Sequence, residues 1–180
     1  IPQNLRRIGI RGCKSLKSLV DEEGVGSSHG CLEYLDIQGC KSLTSLSLSG
    51  QLLKTLKHLW ISGCEQLELI AHDGFLYDNT NYCLEYFRIW ICENLKSLPD
   101  GLCHLSNLQQ LRIYKCGSLV SILRLSGGRR PSNLRHLSID YREGLTFPPN
   151  LTSLDIRKVK SYKSLWELEL WGLHKLTSLI

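Results

Sequence analysis

The side chains best equipped for chemistry in this chain are thiols and imidazoles, with eight cysteines and six histidines among 180 residues. Three chemistries could use them. Closely spaced thiolates hold zinc, a Cys beside a His makes a nucleophile, and an even cysteine count can form a disulfide framework. No Cys-x-x-Cys pair occurs, which removes the usual zinc spacing. Neither His-Glu-x-x-His nor a nucleophile elbow is present. The histidines are scattered: His29 and His72 in polar stretches, His58 and His136 in alternating apolar segments, His104 and His174 in connectors. Gly24-Val25-Gly26-Ser27-Ser28-His29-Gly30 approaches a dinucleotide fingerprint. It places His29 where the third glycine belongs and follows an acidic stretch rather than a buried strand, so it is set aside. With no phosphate-loop pattern either, no cofactor, no metal and no catalysis are expected.

What organises the cysteines is their spacing from Leu and Ile. Cys13, Cys40, Cys64, Cys92 and Cys116 each follow a Leu-x-x-Leu-x-Ile unit, with Ile8 and Phe87 standing for the second Leu in two copies. Leu32-Glu33-Tyr34-Leu35-Asp36-Ile37-Gln38-Gly39-Cys40-Lys41-Ser42-Leu43 is the clearest copy. Units begin at Leu5, Leu32, Leu56, Leu84, Leu108, Leu134 and Leu151, at spacings of 27, 24, 28, 24, 26 and 17 residues. Leucine-rich repeats are about 20–29 residues long, and such units stack into a solenoid. The expected fold is therefore an α/β leucine-rich-repeat horseshoe. It has a concave parallel sheet of about seven short strands, mostly irregular convex connections and little helix.

Residues 1–180 read as a single repeat domain. The stretch from Leu165 to Leu170 looks like a further unit only 14 residues after Leu151, too few to close a coil. Gly172-Leu173-His174-Lys175-Leu176 aligns instead with Gly101-Leu102-Cys103-His104-Leu105, which makes Leu179 the opening of a truncated eighth copy. Ile1-Pro2-Gln3-Asn4-Leu5 resembles the run into later units at Pro131-Ser132-Asn133-Leu134, so the chain reads as a piece of a longer array. Short helical turns are expected at Gly101–Leu105 and Gly172–Leu176. Polar bulges are expected at Asp21–Gly30, Ala71–Asn81 and Ser126–Pro131, and extended connections at Pro99 and Pro148-Pro149.

Composition narrows the function classes. A formal charge of +5 with scattered basic residues does not favour nucleic acid, and no apolar run approaches the roughly 18 residues that span a bilayer. The five slot cysteines form a column of small inward side chains that satisfy backbone groups of adjacent coils, a structural ladder of free thiols. Reduced thiols favour a cytoplasmic setting.

Side chains alternate across a strand, so the residues flanking each inward Leu and Ile face outward on the concave sheet. This puts Tyr34, His58, Trp60, Tyr86, Arg88, Trp90, Arg112 and Tyr114 on one face. Trp, Tyr and Arg are the residues most enriched among binding hot spots, which makes this face the candidate protein-binding surface. Cross-strand stacking of Arg on aromatic rings would stabilise the sheet itself, and the same rings can do both.

The Cys-containing repeat, followed by Leu95-Lys96-Ser97-Leu98-Pro99-Asp100-Gly101-Leu102 and echoed by Cys13-Lys14-Ser15-Leu16 and Cys40-Lys41-Ser42-Leu43, resembles the repeats of plant nucleotide-binding leucine-rich-repeat disease-resistance proteins. The resemblance covers nearly the whole chain and weakens where Arg142 and Val159 replace the slot Cys. It implies an intracellular immune receptor whose repeats sense a pathogen effector or a modified host protein. It also implies that they hold a nucleotide-binding switch domain inactive, a domain not contained in these residues. The alternative is the substrate-recruiting repeat array of an F-box ubiquitin-ligase subunit. The Ile-Thr-Asp-like helical segment typical of those repeats does not follow the Cys here.

Overall fold

Each five-residue window with apolar residues at its second and fourth positions should form a strand with one buried face. In the computed structural model of the protein the seven windows that begin two residues after a unit's opening Leu all do. The structure describes residues 5–20, 31–49, 54–73, 82–98, 102, 105–119, 133–140, 151–157 and 177–179. In chain order the strands are β1 (Arg7–Arg11), β2 (Ser18–Val20), β3 (Tyr34–Gln38), β4 (Ser45–Ser49), β5 (His58–Ser62) and β6 (Leu69–Asp73). They continue with β7 (Tyr86–Trp90), β8 (Gln110–Tyr114), β9 (His136–Asp140), β10 (Ser153–Arg157) and β11 (Ser178–Leu179). Among the described residues there is no α-helix.

The main sheet has eight strands in the order β1-β3-β5-β7-β8-β9-β10-β11, each parallel to its neighbours. Because every coil repeats the same offsets, the strands pair in register. One inward column runs through Ile8, Leu35, Leu59, Phe87, Leu111, Leu137 and Leu154. The next is isoleucine throughout: Ile10, Ile37, Ile61, Ile89, Ile113, Ile139 and Ile156. Branching at Cβ suits a pleated surface, and stacked isoleucines fill a uniform slab. From Leu35 onward both columns are buried, whereas Ile8 and Ile10 in the first described coil are half-buried.

A second parallel sheet, β2-β4-β6, was not expected where irregular connections were. A bridge from Leu69 to Ser97 extends it toward the next coil. It arises from Leu16-Lys17-Ser18-Leu19, Leu43-Thr44-Ser45-Leu46 and Leu67-Glu68-Leu69-Ile70. Their alternation sends Leu19, Leu46 and Ile70 into the same core as the main sheet. Ala71–Asp73, read from sequence as the start of a bulge, belongs to β6 instead. Position 74 onward in that stretch, the bulges at 21–30 and 126–131, the Pro99 and Pro148-Pro149 connections, the 165–170 stretch and the turn at 172–176 lie outside the described residues. Of the turn expected at 101–105, Leu102 and Leu105 are described. The Leu105 N–H donates to the Leu102 carbonyl at 3.2 Å, a single tight turn that buries both leucines.

The eighth copy is phased differently from the expectation. Leu179 pairs with Leu154 and Ser178 with Ser153, so Leu179 is a second Leu rather than an opening one. The matching tetrapeptides Leu151-Thr152-Ser153-Leu154 and Leu176-Thr177-Ser178-Leu179 carry that phase in the sequence. Strand pairing decides it, since only one register puts like residues in the same column.

Candidate functional site

Three outward columns cross the main sheet, and the first is an aromatic stack. His58 lies between Tyr34, at 4.2 Å between ring centroids and 5° between planes, and Tyr86, at 4.5 Å and 2°. The Arg7 guanidinium caps the stack 4.2 Å from the Tyr34 centroid. These residues are direct register partners on β1, β3, β5 and β7, so the strand spacing of about 4.8 Å itself sets the ring separation. Burial between the rings pushes the His58 pKa below its ordinary value. The Arg88, Lys57 and Arg7 charges act in the same direction and Glu85 opposes them.

The second column holds Gly9, Asp36, Trp60, Arg88, Arg112, Ser138 and Asp155. Gly9 contributes no side chain, and beside it opens a groove of ≈ 470 Å³ lined by Arg7, Arg11, Tyr34, Asp36, Trp60 and Arg88 among others. Asp36 is held by Arg11 at 2.8 Å and by the Gln38 amide at 2.9 Å. Arg88 and Arg112 are register partners, so two cations sit side by side on adjacent strands. The Arg88 Nη2 donates to Gln110 Oε1 at 3.2 Å, while its Nε–H is covered and has no acceptor among the described residues.

The third column runs Arg11, Gln38, Ser62, Trp90 and Tyr114, and Asp140 closes β9 at the corresponding position. Trp90 meets Tyr114 edge to face with centroids 6.3 Å apart. The Tyr114 and Ser138 hydroxyls lie side by side and both reach Asp155 Oδ2, at 3.1 Å and 2.7 Å. Asp140 accepts the Lys115 backbone N–H at 2.9 Å. Its carboxylate takes the place of a main-chain carbonyl, because Gly39, Gly63 and Ile91 at the equivalent position donate to the carbonyls of Ser62, Trp90 and Tyr114.

Alternation therefore places Tyr34, His58, Trp60, Tyr86, Arg88, Trp90, Arg112 and Tyr114 on one sheet face, but in two groups. Tyr34, His58 and Tyr86 spend their ring faces on each other. Trp60 and Trp90, 37% and 45% exposed, flank Arg88 and Arg112. Arg7, Arg11, Asp36, Gln110, Ser138 and Asp155 also belong to this surface. Their outward positions were legible from alternation. The signal overlooked was the column, which pairs each of them with a named neighbour one repeat away.

Behind the sheet the cysteine slot follows a left-handed residue. Gly12, Gly39 and Gly63 have φ of 63°, 64° and 63°, and the same position is filled by Ile91 at 55° and Lys115 at 50°. Each slot thiol donates to the carbonyl two residues back, from 3.8 Å at Cys13 to 3.3 Å at Cys116. Cys40 reaches in addition the Ile10 carbonyl of the neighbouring coil at 3.9 Å. The thiols thus serve mainly their own coil's turn rather than adjacent coils, the expectation from the spacing, because the left-handed residue before each slot brings the carbonyl two residues back within reach. Cys40, Cys64, Cys92 and Cys116 are buried, whereas Cys13 in the first described coil is exposed. Burial raises the pKa of Cys40 and Cys92 and lifts Cys64 to about 11. Among the described residues, no three His, Cys, Asp or Glu side chains gather to hold a metal.

A second ladder went unread in the sequence. Asn107 Nδ2 donates to the Tyr82 carbonyl at 2.7 Å and Asn133 Nδ2 to the Ser106 carbonyl at 2.6 Å, joining one coil to the next just before its opening Leu.

Residues 21–143, about two thirds of the chain, match the family model described as plant disease resistance protein RPS2-like, leucine-rich repeats. The chain is also similar to an Arabidopsis thaliana protein named "Putative disease resistance protein At4g19050", 28% identical over 174 residues. That match covers 87% of this chain and 13% of the other protein, so the chain spans a small part of its relative's length. Among the described residues no helix is long and apolar enough to cross a membrane.

Proposed function

This chain belongs to the RPS2-like leucine-rich-repeat family of plant disease resistance proteins, and we propose that it is the protein-recognition module of an intracellular immune receptor. On this reading the concave sheet engages a pathogen effector or a host protein that an effector has altered. In the whole receptor the same repeats restrain a nucleotide-binding switch domain until that engagement. The observation that carries the reading is the pair of exposed tryptophans, Trp60 and Trp90, set beside two adjacent arginines on a rigid sheet. Exposed indole rings expose apolar surface to water, and Trp and Arg supply most of the affinity at protein interfaces when a partner covers them. Buried reduced thiols in the ladder support an intracellular setting. The family match does not favour the F-box alternative.

A two-hybrid screen with the chain as bait, against secreted pathogen proteins and host proteins, supplies the test. Trp60→Ala combined with Arg88→Ala should abolish binding of a recovered partner while leaving the circular-dichroism spectrum unchanged. A partner indifferent to that pair but lost on substitution of Lys41 and Lys96, which lie off the concave sheet, would move recognition elsewhere.

A further inference from the structure

The carboxylates of the outward columns are already committed. Asp36 is held by Arg11 and Gln38, Asp155 accepts from Tyr114 and Ser138, and Asp140 accepts from the Lys115 backbone. Of the cations on the same face, Arg11 has Asp36 and Arg7 rests on the Tyr34 ring. Arg88 and Arg112 differ. Among the described residues no carboxylate lies within ion-pair distance of either, and they are direct cross-strand partners. Like charges placed opposite one another destabilise a sheet. The covered Nε–H of Arg88 lacks an acceptor among the described residues as well, a second cost that a ligand oxygen could remove once the side chain turns toward it.

From these observations we propose that the middle of the concave face docks an acidic segment of a partner protein, with carboxylates on Arg88 and Arg112 and an apolar side chain against Trp60. The proposal rests on the reading of this face as a protein-recognition surface and specifies the chemistry it takes. Arg112, Arg88 and Trp60 occupy one column on β8, β7 and β5. An extended segment laid across the strands therefore meets them in order with its residues i, i+2 and i+4, which share one side. Two residues of extended chain advance about 6.7 Å against a strand spacing of about 4.8 Å, and the flexible Arg and Glu side chains absorb the difference of about 2 Å per step. Trp90, two residues along β7 from Arg88 on the same face, adds exposed apolar surface on the third-column side.

Calorimetric titration of the 180-residue chain with a 12-residue Gly/Ser peptide bearing a central Glu-Ser-Glu-Ser-Leu tests this. Binding should weaken about tenfold or more when both Glu become Gln, and likewise in the Arg88→Gln, Arg112→Gln variant. The Lys14→Gln, Lys17→Gln variant removes the same charge from exposed positions off the sheet face and should bind normally. Removing the like-charge pair should also raise the melting temperature. If the Gln variant is instead unstable, an Arg88→Glu, Arg112→Glu variant must bind the corresponding Lys-Ser-Lys-Ser-Leu peptide. Equal loss in the Lys14, Lys17 variant would reduce the effect to overall charge and overturn the proposal. So would no measurable binding of the Glu peptide, or binding only of a phosphotyrosine peptide. Any of these outcomes leaves the recognition reading standing so long as the Trp60, Arg88 substitutions still abolish binding of the partner found by screening.

Discussion

Alkylation of the native chain at pH 8 should divide its cysteines into a fast and a silent group. Cys64 sits fully buried with its thiol raised to about 11, against about 8.5 for a free cysteine. At pH 8 a group with that raised value is thiolate to about one part in a thousand, while a free cysteine is about one quarter thiolate. Ionisation alone therefore slows Cys64 roughly two-hundredfold relative to a free cysteine, and exclusion of the reagent from the core slows it further. Cys92 shifts in the same direction from the same burial and should be at least as slow. Cys13 and Cys31 are exposed to the reagent and should label first. The assay is iodoacetamide labelling in a time course, with each site read by peptide mass spectrometry, and all eight cysteines should label rapidly after denaturation. Labelling of Cys64 or Cys92 within tenfold of Cys31 would refute the buried ladder, because neither burial nor the raised pKa could then hold in solution.

Two further outcomes follow from the outward stack and the left-handed turns. His58 has a folded-state pKa below its ordinary value, so the unfolded chain takes up the proton first as pH falls. Stability should be constant above about pH 6.5 and decline below it until His58 protonates in the folded state, a slope that His58→Phe, which keeps the stack, should remove in urea melts across pH 5–8. A Cβ at Gly63 would meet the Gly39 nitrogen at 3.6 Å, an ordinary contact, so Gly63→Ala tests φ alone. It should cost about 1–2 kcal/mol in denaturant unfolding, and an unchanged midpoint would show that the turn can relax away from positive φ.

The repeat was legible because its offsets are stiff. Leu32, Leu35, Ile37 and Cys40 recur as Leu56, Leu59, Ile61 and Cys64, and period-two alternation then separates Ile37 from Asp36 without any coordinates. The second sheet was missed because its strands share no common pattern: Ser45–Ser49 alternates over five residues, but Ser18-Leu19-Val20 is only three long and Leu69–Asp73 does not alternate. Ser45–Ser49 becomes a strand only with β2 and β6 on either side to take its backbone hydrogen bonds. The phase at Leu179 was misread because Gly and Leu spacing in the connector was weighed above the repeated Leu-Thr-Ser-Leu. The left-handed position was hidden by Ile91 and Lys115, residues that ordinarily avoid it.

By itself the sequence determined the solenoid, the inward and outward side of each main strand, and the cysteine slot, because each depends on spacings of two to eight residues within one coil. Tertiary structure decided what the outward residues do with one another. Tyr34, His58 and Tyr86 are 24 and 28 residues apart in sequence and one strand apart in space, and stacking consumes their ring faces. Trp60, Arg88 and Arg112 have similar spacings in the neighbouring column, yet the tryptophan remains exposed and, among the described residues, the arginines have no carboxylate partner. The difference lies in the side chains one strand to either side. Flat rings at the strand spacing stack, whereas two adjacent guanidinium groups repel and remain available for carboxylates from another molecule.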